Sequence, residues 1–189
     1  MPVRNPQEPP YKELVVGVTG RIGAGKTSVA TYLCETHGFS YIRYSQVLSE
    51  WKAHNADSKK ILQSAGWEVM GGGMQLELNH RLIAQIPAGS NCAVDGLRHP
   101  IDFDSLSKSF SPQFYLVYVD CTQETRWQRL RARYPEFEDF QKTDFHPVEQ
   151  HIETLRNNAP AVIDNNGSLQ HLHAEVEQLL NKINVGGRT

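Results

Sequence analysis

A three-layer α/β/α fold around a parallel sheet of about five strands is predicted from three features of the sequence. Leu14-Val15-Val16-Gly17-Val18 is a nearly continuous β-branched run, the pattern of a strand buried on both faces. Gly20-Arg21-Ile22-Gly23-Ala24-Gly25-Lys26-Thr27 follows at once and matches the phosphate-loop pattern G-x-x-x-x-G-K-[ST]. Beyond it, apolar strands alternate with helical stretches to the end of the chain, the order that produces a parallel sheet covered on both faces.

The elements follow in order. Val29 and Leu33 lie four apart on a helix from Lys26 to about Thr36, and Gly38 is its stop. Phe39 to Tyr44 reads as the second strand, and Ser45 as the cap of a helix carrying Val47, Leu48 and Trp51. Residues 53–60 are polar; Ile61, Leu62 and Trp67 give the next helix an apolar side, and Gly71 to Gly73 interrupt it. Leu78, Leu82 and Ile86 mark a helix that Pro87 ends. Cys92-Ala93-Val94 is a third strand that stops at Asp95-Gly96, and Pro100 opens a helix with Phe103 and Leu106. Phe114 to Val119 is the strongest strand of the chain; Asp120 ends it and Thr122 caps a helix running through Leu130. Residues 136–150 read as polar loop, Ala161-Val162-Ile163 as the last strand, and Leu169 to Ile183 as a last amphipathic helix.

Composition bounds the function classes. The 189 residues fit one domain, expected over 13–185 behind a flexible, proline-rich leader of residues 1–12. Nineteen Lys plus Arg against 21 Asp plus Glu give a net charge of -2, which speaks against a nucleic-acid-coating protein. Three cysteines without a C-x-x-C exclude a disulfide scaffold or zinc ribbon and fit a reducing cytoplasm. No apolar run reaches the ~18 residues that span a bilayer.

The phosphate loop carries the chemistry. Its glycines let backbone N–H groups of Arg21, Ile22, Gly23, Ala24 and Gly25, with Ser28 beyond, surround a phosphate at a helix N-terminus. Lys26 would reach the β- and γ-phosphates of ATP and the Thr27 hydroxyl would ligate Mg²⁺. A GTPase would carry N-K-x-D; Asn181-Lys182-Ile183-Asn184 lacks the acid. A small kinase needs an acid near Mg²⁺ and recurring arginines, because phosphoryl transfer depends on positioning and positive charge. Asp95, ending the third strand at the ligand edge of the sheet, is the acid chosen for Mg²⁺ over Asp120, which sits beside a helix cap. Arg98 lies three residues on, and Arg43 ends the second strand. Arg126, Arg129 and Arg133 are spaced to share one helical face, as a lid over residues 126–150 would place them on a phosphate. Asp144-x-His146-x-x-Glu149 has spacing that would allow a metal site, but a hydrogen-bonded turn is the simpler reading.

In these segments the chain resembles the P-loop nucleotide kinases, a branch of the P-loop NTPase fold, and within them the phage-type deoxynucleoside monophosphate kinases. Dephospho-CoA kinase is a more distant likeness. The resemblance rests on the phosphate loop; on Lys59-Lys60-Ile61-Leu62-Gln63-Ser64-Ala65-Gly66; on Val94-Asp95-Gly96-Leu97-Arg98; and on Asp144-x-His146-x-x-Glu149 with Val162-Ile163-Asp164-Asn165-Asn166-Gly167-Ser168-Leu169. It implies ATP, Mg²⁺ and a small-molecule nucleotide acceptor seated over residues 45–90. Lys59, Lys60, Gln63, Arg43 and Arg98 would approach the acceptor, and Asn165 and Gly167 the adenine. The region after the second strand, Ile42-Arg43-Tyr44-Ser45-Gln46, holds no acid to serve as a base, which favours an anionic phosphate acceptor over a hydroxyl. A kinase of another phosphorylated metabolite or CoA precursor, and a non-catalytic ATP-binding regulatory module, are the alternatives.

Overall fold

The computed structural model describes residues 13–52, 69 and 73–186. The expected leader, and Lys59, Lys60 and Gln63, lie outside the described residues. β1 (Val15–Thr19), β2 (Ser40–Arg43), β3 (Cys92–Leu97), β4 (Phe114–Asp120) and β5 (Ala161–Asp164) form one five-stranded sheet in the order β2-β3-β1-β4-β5. Every neighbouring pair is parallel. The predicted parallel α/β architecture is therefore the observed one.

Strand side chains alternate between two cores, as the period of two requires. Val16 and Val18 of β1 pack with Val29 and Leu33 of α1 (Lys26–His37) and with Leu172, Val176 and Leu180 of the long C-terminal helix from Leu169 to Gly186. Val15 joins the opposite core, with Val47 and Leu48 of α2 (Tyr44–Lys52), Leu78 and Leu82 of α3 (Gln75–Ile83) and Leu106 of α4 (Pro100–Phe110). Val15, Val16 and Val18 are each at most 1% exposed, which explains why β1 lacks polar alternation.

Three readings need correction. α2 starts at Tyr44, directly on the end of β2, so Ser45 is not its cap. β3 continues past Asp95 to Leu97, with an irregularity in its register against β1 where Gly96 takes φ 96°, a conformation glycine adopts readily. Residues 136–150 are not loop: they hold α6 (Phe137–Asp144) and the short α7 (Pro147–Gln150). α5 (Gln123–Leu130) precedes them and α8 (Ile152–Asn158) follows, before β5 and the C-terminal α9. The polar surface of 136–150 hid one apolar anchor per turn. Phe140 is fully buried and stacks beside Phe137, which meets the Trp127 ring edge-on.

Candidate active site

The parallel order brings the carboxyl ends of β1, β2 and β3 to one edge, where ligands bind in open α/β sheets. The phosphate loop leaves β1 there and enters α1. Gly25 occupies the N-cap in the left-handed region (φ 99°), and no side chain caps the helix. A Cβ on Gly25 would collide with the Asn165 amide, so both the φ value and the close approach demand glycine. The first-turn N–H donors of α1 are thereby presented together as an anion cradle.

Lys26 spans the loop, its Nζ donating to the Gly20 carbonyl (2.7 Å) and the Arg21 carbonyl (3.0 Å). Burial pushes its pKa down to about 7, the charge of Arg98 adds to the push, and Asp95 opposes it.

Asp95 is buried at 5% exposure and gathers three groups. Thr27 Oγ1 donates to its Oδ2 (2.9 Å), Tyr41 OH donates to the same oxygen (2.7 Å), and Arg43 Nε lies 3.6 Å away. Arg43 also donates to Thr27 Oγ1 (3.3 Å). The two residues chosen for Mg²⁺ thus touch. Burial, followed by the Asp95 charge, raises the Tyr41 pKa, so Tyr41 stays a neutral donor. Tyr41 was not among the sequence candidates. Its signal was present: it stands two positions before Arg43 on β2, hence on the same face.

Arg98 points into the same region and is ion-paired with Glu149, which is 2% exposed. The Arg98 backbone N–H donates to Asp102 Oδ2 (2.9 Å). Asp102 Oδ1 accepts in turn from Gln75 (2.5 Å) and Asn79 (2.9 Å) on α3, so this buried carboxylate ties the Arg98 backbone to that helix.

The arginine trio divides. α5 ends at Leu130, so Arg133 is not on the helix that bears Arg126 and Arg129 and does not share their face. Its guanidinium lies over the Tyr134 ring instead, 4.9 Å from the centroid. Arg126 is 3% exposed and forks onto Asp144, Nη1 at 2.5 Å and Nη2 at 2.9 Å, with a further bond to the Ile22 carbonyl (3.1 Å). An anion therefore does meet this cation, but it is the protein's own. Burial alone would raise the Asp144 carboxyl; hydrogen bonds from Arg126, Gln123 and Arg21 hold it below the ordinary value. Arg129 donates to the Asn165 carbonyl (2.8 Å), and Asn165 Nδ2 donates to the Ala24 carbonyl (2.7 Å). Gly25, Ser28, Arg129, Asn165 and Gly167 line a cavity of about 310 Å³ with Leu169 and Leu172. This cavity lies beside the phosphate loop, and its lining includes Asn165 and Gly167, the two residues expected at the adenine.

Asp144 and Glu149 thus bind arginines, and among the described residues no group of three or more His, Cys, Asp or Glu is placed to hold a metal. Asp120, the rival acid, pairs with Arg156 (2.9 Å). No helix among the described residues is long and apolar enough to cross a membrane.

A family model described as an AAA domain matches residues 16–147. No curated protein matches the sequence. Among solved structures, TT1252 from Thermus thermophilus superposes with a TM-score of 0.63 at 16% identity, covering 90% of this chain and 97% of its own. Shikimate kinase from Acinetobacter baumannii, in complex with shikimate, gives 0.59 at 16% identity, covering 94% and 96%. A gluconokinase from Sinorhizobium meliloti gives 0.51 at 14% identity, covering 90% and 95%. The fold is that of the P-loop kinases.

Proposed function

The chain belongs to the AAA-domain family, and from that premise we propose that it is an ATP-dependent kinase whose acceptor is a nucleoside or deoxynucleoside monophosphate. One observation carries the reading. Lys26, the Thr27–Asp95 pair, and the two arginines Arg43 and Arg98 converge on the carboxyl edge of β1–β3. A donor phosphate site and a cationic acceptor site adjoin there.

In this reading ATP lies along the loop. The N–H groups of residues 21–28 and Lys26 hold its phosphates, and its base enters the cavity between Arg129, Asn165 and Gly167. An arriving phosphate favours protonated Lys26, restoring the charge that burial withdraws. Hydroxyl and carboxylate oxygens are hard donors, and Mg²⁺ is commonly held by one or two carboxylates together with substrate phosphates. Thr27 Oγ1 and Asp95 Oδ2 fit that donor set and would hold the ion. Mg²⁺, when bound, would neutralise charge developing on the phosphates. Tyr41 and Arg43 orient the Asp95 carboxylate; Arg98, positioned by Asp102, binds the acceptor's phosphate. That phosphate is already anionic and needs no base. Arg126 acts structurally, fastening the loop through the Ile22 carbonyl to α6.

The structural neighbours favour one second reading, because two of them are named as kinases of shikimate and of gluconate. Under it, the acceptor is a hydroxyl of a small carboxylic acid. Arg98 would bind the acid's carboxylate, and Asp95 would accept the proton. A coupled ADP-release assay tests both. Turnover with nucleoside monophosphates supports the first reading; turnover with shikimate or gluconate alone supports the second.

A further inference from the structure

The Asp144-to-Glu153 stretch supplies three carboxylates to the edge of the phosphate loop, and the kinase reading assigns none of them to a ligand. Asp144 receives Arg126 and Arg21, and Glu153 receives Arg21 Nη1 (3.3 Å). Glu149 reaches furthest in. Its Oε2 accepts from the Ile22 backbone N–H of the loop (3.2 Å), its Oε1 is ion-paired with Arg98, and the residue is 2% exposed.

These two partners are groups that the reading above assigns to ligands. The Ile22 N–H belongs to the cradle for the transferring end of ATP, and Arg98 to the acceptor phosphate. A backbone N–H makes one strong hydrogen bond, so a phosphoryl oxygen and the Glu149 carboxylate are alternatives at Ile22. The carboxylate is also chemically matched to the place. It is a compact oxyanion paired with Arg98, whose charge, with that of Arg126, contributes to the depressed Lys26 pKa. A part-buried arginine that repels a neighbouring lysine favours a counter-charge.

We propose that Glu149 is an internal counter-anion of the phosphate loop, which ATP must displace, so that the α7–α8 segment moves off the loop as the nucleotide enters. This rests on the reading of residues 20–27 as the donor site. It couples the two substrates. Displacing Glu149 releases Arg98 at the same moment, so the acceptor's anchor becomes available only once the donor is seated. The segment works as a sensor of the donor rather than as a phosphate clamp.

Glu149→Gln keeps the size and a hydrogen-bond acceptor but removes the charge. By calorimetry with Mg²⁺·ATP and no acceptor present, it should bind roughly tenfold tighter than the wild type, the scale of one charged hydrogen bond. Equal or weaker affinity in a variant that melts like the wild type overturns the proposal. A second measurement needs no variant. Hydrogen exchange of wild-type peptides covering residues 147–158 should accelerate on addition of Mg²⁺·ATP, while residues 20–27 slow. Unchanged or slowed exchange in 147–158, with 20–27 slowed, overturns the proposal and leaves the kinase reading standing. No Mg²⁺·ATP binding to the wild type would overturn both.

Discussion

The phosphate loop, residues 20–27, and the segment from Gln123 to Asn158 face each other across the same site but are built on different principles. Much of the loop's own turn is set by near neighbours. Lys26 bonds carbonyls five and six residues back, Ala24 N–H bonds the Arg21 carbonyl, and Gly25 supplies the turn. The opposing segment is held by ion pairs and hydrogen bonds that reach far along the chain, such as Asp144 to Arg21 across 123 positions and the Ile22 N–H to Glu149 across 127. Chemistry needed at a fixed geometry is placed on local backbone. Parts that would respond to ligands are attached by exchangeable ion pairs.

Five measurements test that contrast. The largest effect falls on the loop: Lys26→Ala should lower kcat by about 10³-fold or more while leaving circular dichroism and Tm close to wild type. A comparable loss of stability would place Lys26 among the structural residues instead.

Next comes the segment, where the effect is on stability. Arg126→Ala leaves Asp144 buried with only Arg21 and Gln123 and should cost about 3 kcal/mol, read by urea unfolding. The same carboxylate sets an acid limb. Its folded pKa is held below the ordinary value near 4, so its contribution is present above that value and is lost as pH falls through the lower, folded-state pKa. Asp144→Asn should flatten that limb.

A smaller effect lies between the two regions. Arg98→Ala should raise the acceptor KM by about tenfold or more and the ATP KM much less. Equal shifts in both would remove Arg98 from the acceptor site.

The smallest is protonic. With a Lys26 pKa of about 7 raised on phosphate binding, ATP binding at pH 8 should take up a proton from buffer. Affinity should weaken as pH rises through 7. Calorimetry in buffers of different ionisation enthalpy reads the uptake, and a zero dependence contradicts the pKa.

Local features were legible before the structure. β1 shows in its β-branched run, α1 in its apolar spacing, Gly38 as a left-handed C-cap, and Thr122 as an N-cap whose hydroxyl accepts from the Thr125 N–H. Each depends on residues within a few positions. Asp95 and Thr27, both chosen as Mg²⁺ ligands, lie 68 positions apart, but parallel neighbouring strands bring them to one edge, where they touch. The pairings of Arg126, Arg98 and Glu149 are tertiary. Spacing placed Arg126, Arg129 and Arg133 on one helical face, but the helix stops at Leu130, and the anion that meets Arg126 is Asp144, 18 residues away. Nothing local distinguishes an arginine that awaits a phosphate from one already paired.

Whether this site moves a phosphoryl group from ATP to a nucleoside monophosphate is read most directly from ADP release by the wild type with Mg²⁺·ATP against ribo- and deoxynucleoside monophosphates, with shikimate, gluconate and dephospho-CoA alongside. ADP should form in step with consumption of one or two monophosphates. ATP binding without ADP release from any monophosphate above the acceptor-free rate would contradict it.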